Sequence, residues 1–165
     1  MVLTIKQYML LSTLMETYEE KELEKQILTH FNMLDKSLTE SKEFLNDLIE
    51  TLYDEPEEYT IRFRFKGVEY GLIPNLNEIK TGEWVDLESY QTGVDNIHRV
   101  MAILYRPITK LKGDYYEIEK YSGTEKLSQL FLELPVKYYK SIMVFFWNLN
   151  NQLSKDSNIS TQNQK

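Results

Sequence analysis

Two histidines and one group of carboxylates carry the side-chain types needed for acid–base chemistry in this 165-residue chain. His98 lies close to Asp95 and Arg99 and has the type of a general base. No serine or threonine is set by a recognisable nucleophile motif, so His98 reads as an ordinary surface or interface histidine, and His30 likewise. Glu83, Asp86, Glu88 and Asp95 form an acidic group. Paired carboxylates can cleave glycosidic bonds or hold a divalent cation. Their spacing matches neither a calcium loop nor a hydrolase signature, and Asp86 is expected to cap a helix or to pair with Arg99 or Arg106. No phosphate loop or thiol is present. The expected catalytic, cofactor-binding and metal-binding sets are therefore empty. A hydrolase built on His98 and Asp86 is the weakest of the readings.

Arg62, Arg64 and Lys66 alternate along one strand and share a face. They are the candidates for electrostatic contact, and the best candidates for a nucleic-acid patch. Stacking aromatics would have to join them, and Phe63 and Phe65 point the other way. A solvated face, or a partner for an acidic surface, is the plainer reading.

With 42% hydrophobic and 13% aromatic residues the chain can bury a core. It has no cysteine, which removes disulfides and thiolate metal sites. Neither Val100 to Tyr105 nor Ile142 to Trp147 approaches the ~20 apolar residues of a membrane span. The start lacks a basic region followed by a long apolar run, so a soluble protein is expected. Net charge is −7, unevenly placed: residues 1–58 carry 14 acids against 5 lysines and no arginine, while the rest is slightly basic. Phosphate backbones would be repelled by the acidic part.

The elements that must position these groups follow from periodicity. Helices are expected over 4–16 with Thr4 as cap, 18–34, and 39–53 with Thr39 as cap and Pro56 beyond its end. Period two then takes over from Tyr59 to Phe65, with Tyr59, Ile61, Phe63 and Phe65 on one side, and returns after Lys66-Gly67 over 68–73. A short helical turn, punctuation at Thr81-Gly82 and a turn around Asp86 follow. Gly82 is expected to need a positive φ, so that Gly82→Val would be strained. A helix over 94–105 ends at Arg106-Pro107, a loop or extended segment runs to Gly113, and Tyr115 to Ile118 is strand-like or merely extended. Thr124 caps a helix to about Leu134, and Pro135 opens the last helix, to about Leu153. The fold class is α+β, mostly helical with one small antiparallel hairpin or sheet. Three parts are expected: an acidic helical arm over 1–55, an α+β core over 56–153 and a frayed polar tail over 154–165.

The run Ile142 to Trp147 is apolar on all sides of the last helix, which points to the core of this chain or to an interface. Phe145, Phe146 and Trp147 span about 200° of its circumference, so they are expected to divide between core and contact. With Tyr138, Tyr139 and Trp84 they form the expected partner-binding set.

The order of certain pieces carries a resemblance. Leu3-Thr4-Ile5-Lys6-Gln7-Tyr8 opens a helical arm, and a Lys66-Gly67 hairpin follows. Next come Ile79-Lys80-Thr81-Gly82-Glu83-Trp84-Val85-Asp86-Leu87, a helix ending Leu104-Tyr105-Arg106-Pro107, and a late Phe145-Phe146 helix. Over roughly residues 3–150 this resembles a family of small proteins encoded among the virion structural genes of tailed bacteriophages, some of them described as tail assembly chaperones. The resemblance implies a non-catalytic assembly factor without cofactors. Its partner would be a tape-measure or other phage structural protein, or a second copy, met in the host cytoplasm. A virion component at the head, neck or tail is the near alternative. A regulatory or nucleic-acid-binding module using Arg62, Arg64 and Lys66 is the alternative from another class.

Overall fold

The computed structural model describes residues 1–75 and 79–146. The fold is α+β. Helices α1 (Ile5–Thr17), α2 (Glu20–His30) and α3 (Leu38–Tyr53) come first. Strands β1 (Arg62–Phe65) and β2 (Val68–Leu72) follow, then α4 (Thr81–Tyr90), a 3-10 turn at Val94–Asn96 and α5 (Ile97–Leu104). Strands β3 (Tyr105–Lys112) and β4 (Tyr115–Ile118) and helix α6 (Glu125–Phe131) come next. The last described helix, α7, covers 137–146. The four strands form one antiparallel sheet in chain order.

Local chemistry explains several boundaries. Thr4 Oγ1 accepts from Gln7 N at 3.2 Å and Gln7 Oε1 accepts from Thr4 N at 3.0 Å, a reciprocal cap for α1. The cap of α3 is Ser37 rather than Thr39. Ser37 Oγ takes the Glu40 N–H at 3.2 Å and the Glu40 carboxylate takes the Ser37 N–H at 2.9 Å, which leaves Thr39 inside the first turn. In the first hairpin Lys66 (φ 46°) and Gly67 (φ 83°) are both left-handed, as a two-residue turn matched to strand twist requires. The strand before it is shorter than expected. Phe63 is buried, but Ile61 is half exposed and precedes β1.

The sheet is larger than one hairpin. Residues 105–112, expected as a helix end and then a loop or extended segment, form β3 directly after α5. Pro107 stands opposite Tyr70, and its carbonyl accepts from Glu119 N at 2.9 Å. Thr81-Gly82 is likewise no break. Both lie in the first turn of a continuous α4, and an added Cβ at Gly82 would meet nothing within 4 Å. Gly82 has no positive φ, so the strain expected for Gly82→Val is absent.

Contacts cross the expected boundary near residue 55. Ile5 belongs to the central core with Phe63, Tyr105 and Phe131, while Leu3, Leu11 and Leu14 of the same segment pack with Ile27, Leu48 and Val136 in a second cluster. Backbone bonds tie this segment to the start of α7: Ile5 N to Leu134 O at 2.8 Å, Lys6 N to Leu132 O at 2.9 Å and Val136 N to Leu3 O at 2.8 Å. Lys140 of α7 donates to the carbonyls of Thr51, Leu52 and Asp54 at 2.8, 2.8 and 2.7 Å. A cation there satisfies orphan carbonyls and complements the negative end of α3. The expected tail, 154–165, lies outside the described residues.

Gly71 is where the sheet leaves no room. Tyr116 of β4 reaches across β3, donates to Leu72 O at 2.6 Å, and lays its ring over Gly71. An added Cβ would sit 2.5 Å from Tyr116 Cε2 and 3.2 Å from Ile108 Cγ1. Gly71→Ala should therefore cost about 1–3 kcal/mol through overpacking, read as a lower urea midpoint. An unchanged midpoint would show that Tyr116 is free to move aside.

Candidate functional site

The helices and sheet leave an open groove of about 830 Å³. Its floor is the end of β2, with Leu72 and Ile73, together with the Tyr116 ring. Tyr59 and Ile61, which lead into β1, form one side; Trp84, Leu87 and Tyr90 of α4 form another. Ile97 and Val100 of α5 continue that wall, and Tyr139, Met143, Phe145 and Phe146 of α7 close the third. The α4 residues project together because they recur at helical steps of three. Edge-to-face contacts join Tyr59 to Phe145 at 5.2 Å and Phe145 to Phe146 at 5.6 Å. Ile61, Trp84 and Met143 stay about half exposed, at 50%, 49% and 47%, so apolar surface faces outward here. No Asp, Glu, His, Lys or Arg occurs among the described lining residues.

Of the aromatic residues expected to bind a partner, Trp84, Tyr139, Phe145 and Phe146 meet at this groove. Tyr138 does not. Its ring stacks on Phe63 at 4.3 Å and 25°, against the central core. Phe145 and Phe146 are both half buried, pack against the central core and line the groove. Trp147 lies outside the described residues. Sequence reasoning did not assign Tyr59, Ile61, Tyr116 or Met143 to a site. The alternation that turned Tyr59 and Ile61 toward one side of their strand was the available signal for those two.

The acidic group disperses into structural work. Glu83 and Arg106 form an ion pair at 2.6 Å with side chains only 6% and 10% exposed. The other Glu83 oxygen accepts from Lys80 N at 2.7 Å. Asp86, expected to cap a helix or to pair with Arg99 or Arg106, lies inside α4 and pairs with neither arginine; Tyr121 donates to it instead. The Arg106 guanidinium lies 5.8 Å from the Tyr121 ring, which completes a clamp from α4 to the sheet and back. Glu83, one turn earlier on the helix, is nearer the strand and takes the arginine. Arg99 turns to Tyr90, 5.1 Å over its ring and 3.4 Å from its hydroxyl. Burial and the Asp86 carboxylate push the Tyr121 hydroxyl pKa upward. Glu88 and Asp95 are exposed.

Asp86 borders a second, smaller cavity of about 430 Å³ beside Arg99 and Lys126. His98 lines neither cavity. It is buried at 8% exposure with Nδ1 unpartnered, and burial, then Arg99, holds its pKa below the usual imidazole range against Asp95. His30 ends α2 on the surface.

The basic strand face is also partly committed. The Arg62 guanidinium lies 6.0 Å from the Tyr116 ring, Lys66 pairs with Glu133 at 2.5 Å, and Arg64 is exposed. Among the described residues no group of three or more histidines and carboxylates is placed to hold a metal ion, and no helix is long and apolar enough to cross a membrane. No protein-family model, curated protein or solved structure matches the chain.

Two outcomes follow from the buried polar groups. Glu83→Ala should cost about 3–5 kcal/mol, because it strands a buried guanidinium. Adding Arg106→Met should recover part of that loss in a double-mutant cycle; additive losses would mean that the pair is not coupled. For His98, the unfolded chain takes up its proton first as pH falls past about 6.5. Stability is thus full above that pH and declines below it. His98→Gln should flatten the fall in melting temperature between about pH 7.5 and 5.5, and parallel curves would exclude His98 as the source.

Proposed function

We propose that the protein is a non-catalytic binding protein that takes an apolar segment of another protein chain into the groove between α4, α7 and the sheet. The observation that carries this reading is the make-up of the groove: about 830 Å³, aromatic on three sides, half-exposed tryptophan, isoleucine and methionine, and no charged lining side chain among the described residues. Such a surface gains little from a polar metabolite. It gains by removing apolar area from water, at roughly 25 cal/mol per Å². Aromatic and methionine side chains are the types enriched where proteins meet.

The likeness to small phage morphogenesis proteins narrows the partner. The proposed role is a bacteriophage assembly factor, such as a tail assembly chaperone, that binds a tape-measure or other structural chain in the host cytoplasm. A component retained at the head, neck or tail uses the same groove, and mass spectrometry of purified particles separates the two. The nucleic-acid reading has less support, because Arg62 and Lys66 already have partners in the chain.

Trp84 offers the cleanest test, since it is half exposed and its loss leaves no sealed cavity. Trp84→Ser should change stability by less than about 1 kcal/mol, yet weaken co-purification with the phage structural chains at least about tenfold. Undiminished binding by a folded Trp84→Ser protein would reject the groove as the contact surface.

A further inference from the structure

We infer that the smaller cavity, of about 430 Å³ between α4, α5 and the segment leading into α6, binds a small zwitterion, an α-amino acid with one ammonium and one carboxylate. Its lining carries both signs of charge. Asp86 and Glu125 bring carboxylates, and Arg99 and Lys126 bring cations. None of the four makes an ion pair among the described residues, with one another or elsewhere. Opposite charges are thus held apart around one space. Two of them are fixed by neighbours: Tyr121 donates to one oxygen of Asp86, and Arg99 lies over the ring of Tyr90. Thr124 is an independent sign of a ligand. It is 4% exposed and lines the cavity, yet its hydroxyl does not cap α6 and makes no hydrogen bond among the described residues. That oxygen is not sealed in, because the sealed, unpartnered side-chain atoms among the described residues belong to His98 and Arg106. It opens on the cavity, and a buried hydroxyl so placed is completed by what the cavity holds.

The other ligand classes each meet a conflict. An inorganic anion is drawn by Arg99 and Lys126 but faces Asp86 and Glu125. A lone cation faces the reverse, and among the described residues no group of three or more histidines and carboxylates is placed to hold a metal ion. An apolar ligand finds Tyr90 as the one aromatic side chain in the described lining. A zwitterion answers both signs. Its carboxylate takes Arg99, Lys126 and the Thr124 hydroxyl, its ammonium takes Asp86 and Glu125, and bridging waters fill the rest. Among the described lining residues this cavity shares Tyr90 alone with the aromatic groove, so the inference does not depend on what the groove binds.

L-Serine and its two half-molecules test this by titration into the isotope-labelled full chain, followed by two-dimensional NMR at the amides of Gly123 and Thr124. Ethanolamine lacks the carboxylate, and β-hydroxypropionate lacks the ammonium. L-Serine should shift these amides with a Kd of about 1 mM or below. Each half-molecule should bind at least about tenfold more weakly, because it leaves one pair of charges unanswered. Arg99→Gln should weaken L-serine at least about tenfold. Lys126→Gln and Glu125→Gln alter exposed side chains, so the fold is kept. Each should weaken L-serine at least about threefold, while Glu125→Gln should leave β-hydroxypropionate as tight or tighter, since a repelling carboxylate is gone. Three results overturn the inference: no shift of either amide with L-serine up to about 20 mM; binding of a half-molecule or of inorganic phosphate as tight as that of L-serine; or a Glu125→Gln protein that holds L-serine unchanged. None of them bears on the groove, which Trp84→Ser tests separately.

Discussion

A buried carboxylate–guanidinium contact, Glu83 with Arg106 at 2.6 Å, fixes helix α4 on the sheet, and the groove depends on where α4 sits. The pair does three things at once. One oxygen of Glu83 neutralises Arg106, and the other caps the helix that carries it through Lys80 N. Arg106 in turn covers the ring of Tyr121, whose hydroxyl returns to Asp86 on the same helix. Both ends of this loop are on α4, so Trp84, Leu87 and Tyr90 are presented from a fixed base. Burying such a pair adds little net stability, since desolvation offsets much of the attraction. What it supplies is position: the Arg106 Nε is left without a partner, so the site is not optimised for stability alone.

The opposite wall is held by a different device. Helix α7 begins where the backbone of residues 132–136 pairs with the chain entering α1. Farther along, Lys140 ends α3 by donating to three of its carbonyls. Tyr138 locks the same helix into the core by stacking on Phe63. The acidic helices of the N-terminal third thus support α7, and α7 supports the aromatic wall.

How much of this was legible in the sequence varies with the range of the interaction. The cap at Thr4 and the Lys66-Gly67 turn are set by residues a few positions apart, and capping and turn rules find them. Strand β3 escaped because Pro107 and the preceding helix imitate an ending, while its true partners, Tyr70 and Ile118, lie far away in sequence. Helix α4 escaped because Thr81-Gly82 imitates a break, although Glu83 was available to accept from Lys80 N. The choice of Glu83 rather than Asp86 for Arg106 is made by sheet register, with Arg106 opposite Gly71, and no local rule contains that. The groove was half legible. Composition pointed to Trp84, Tyr139, Phe145 and Phe146, but the division between Tyr138 and its neighbour needed the position of Phe63.

The glycine at position 71 links these scales. Tyr116 can reach over the sheet to the Leu72 carbonyl because no side chain stands at Gly71. Its ring then becomes part of the groove floor and the surface on which Arg62 rests. The same ring thereby draws one cation of the basic strand face toward the sheet, while Arg64 and Lys66 stay exposed. A missing side chain on β2 thus helps to make the floor apolar and gives Arg62 a ring to rest on.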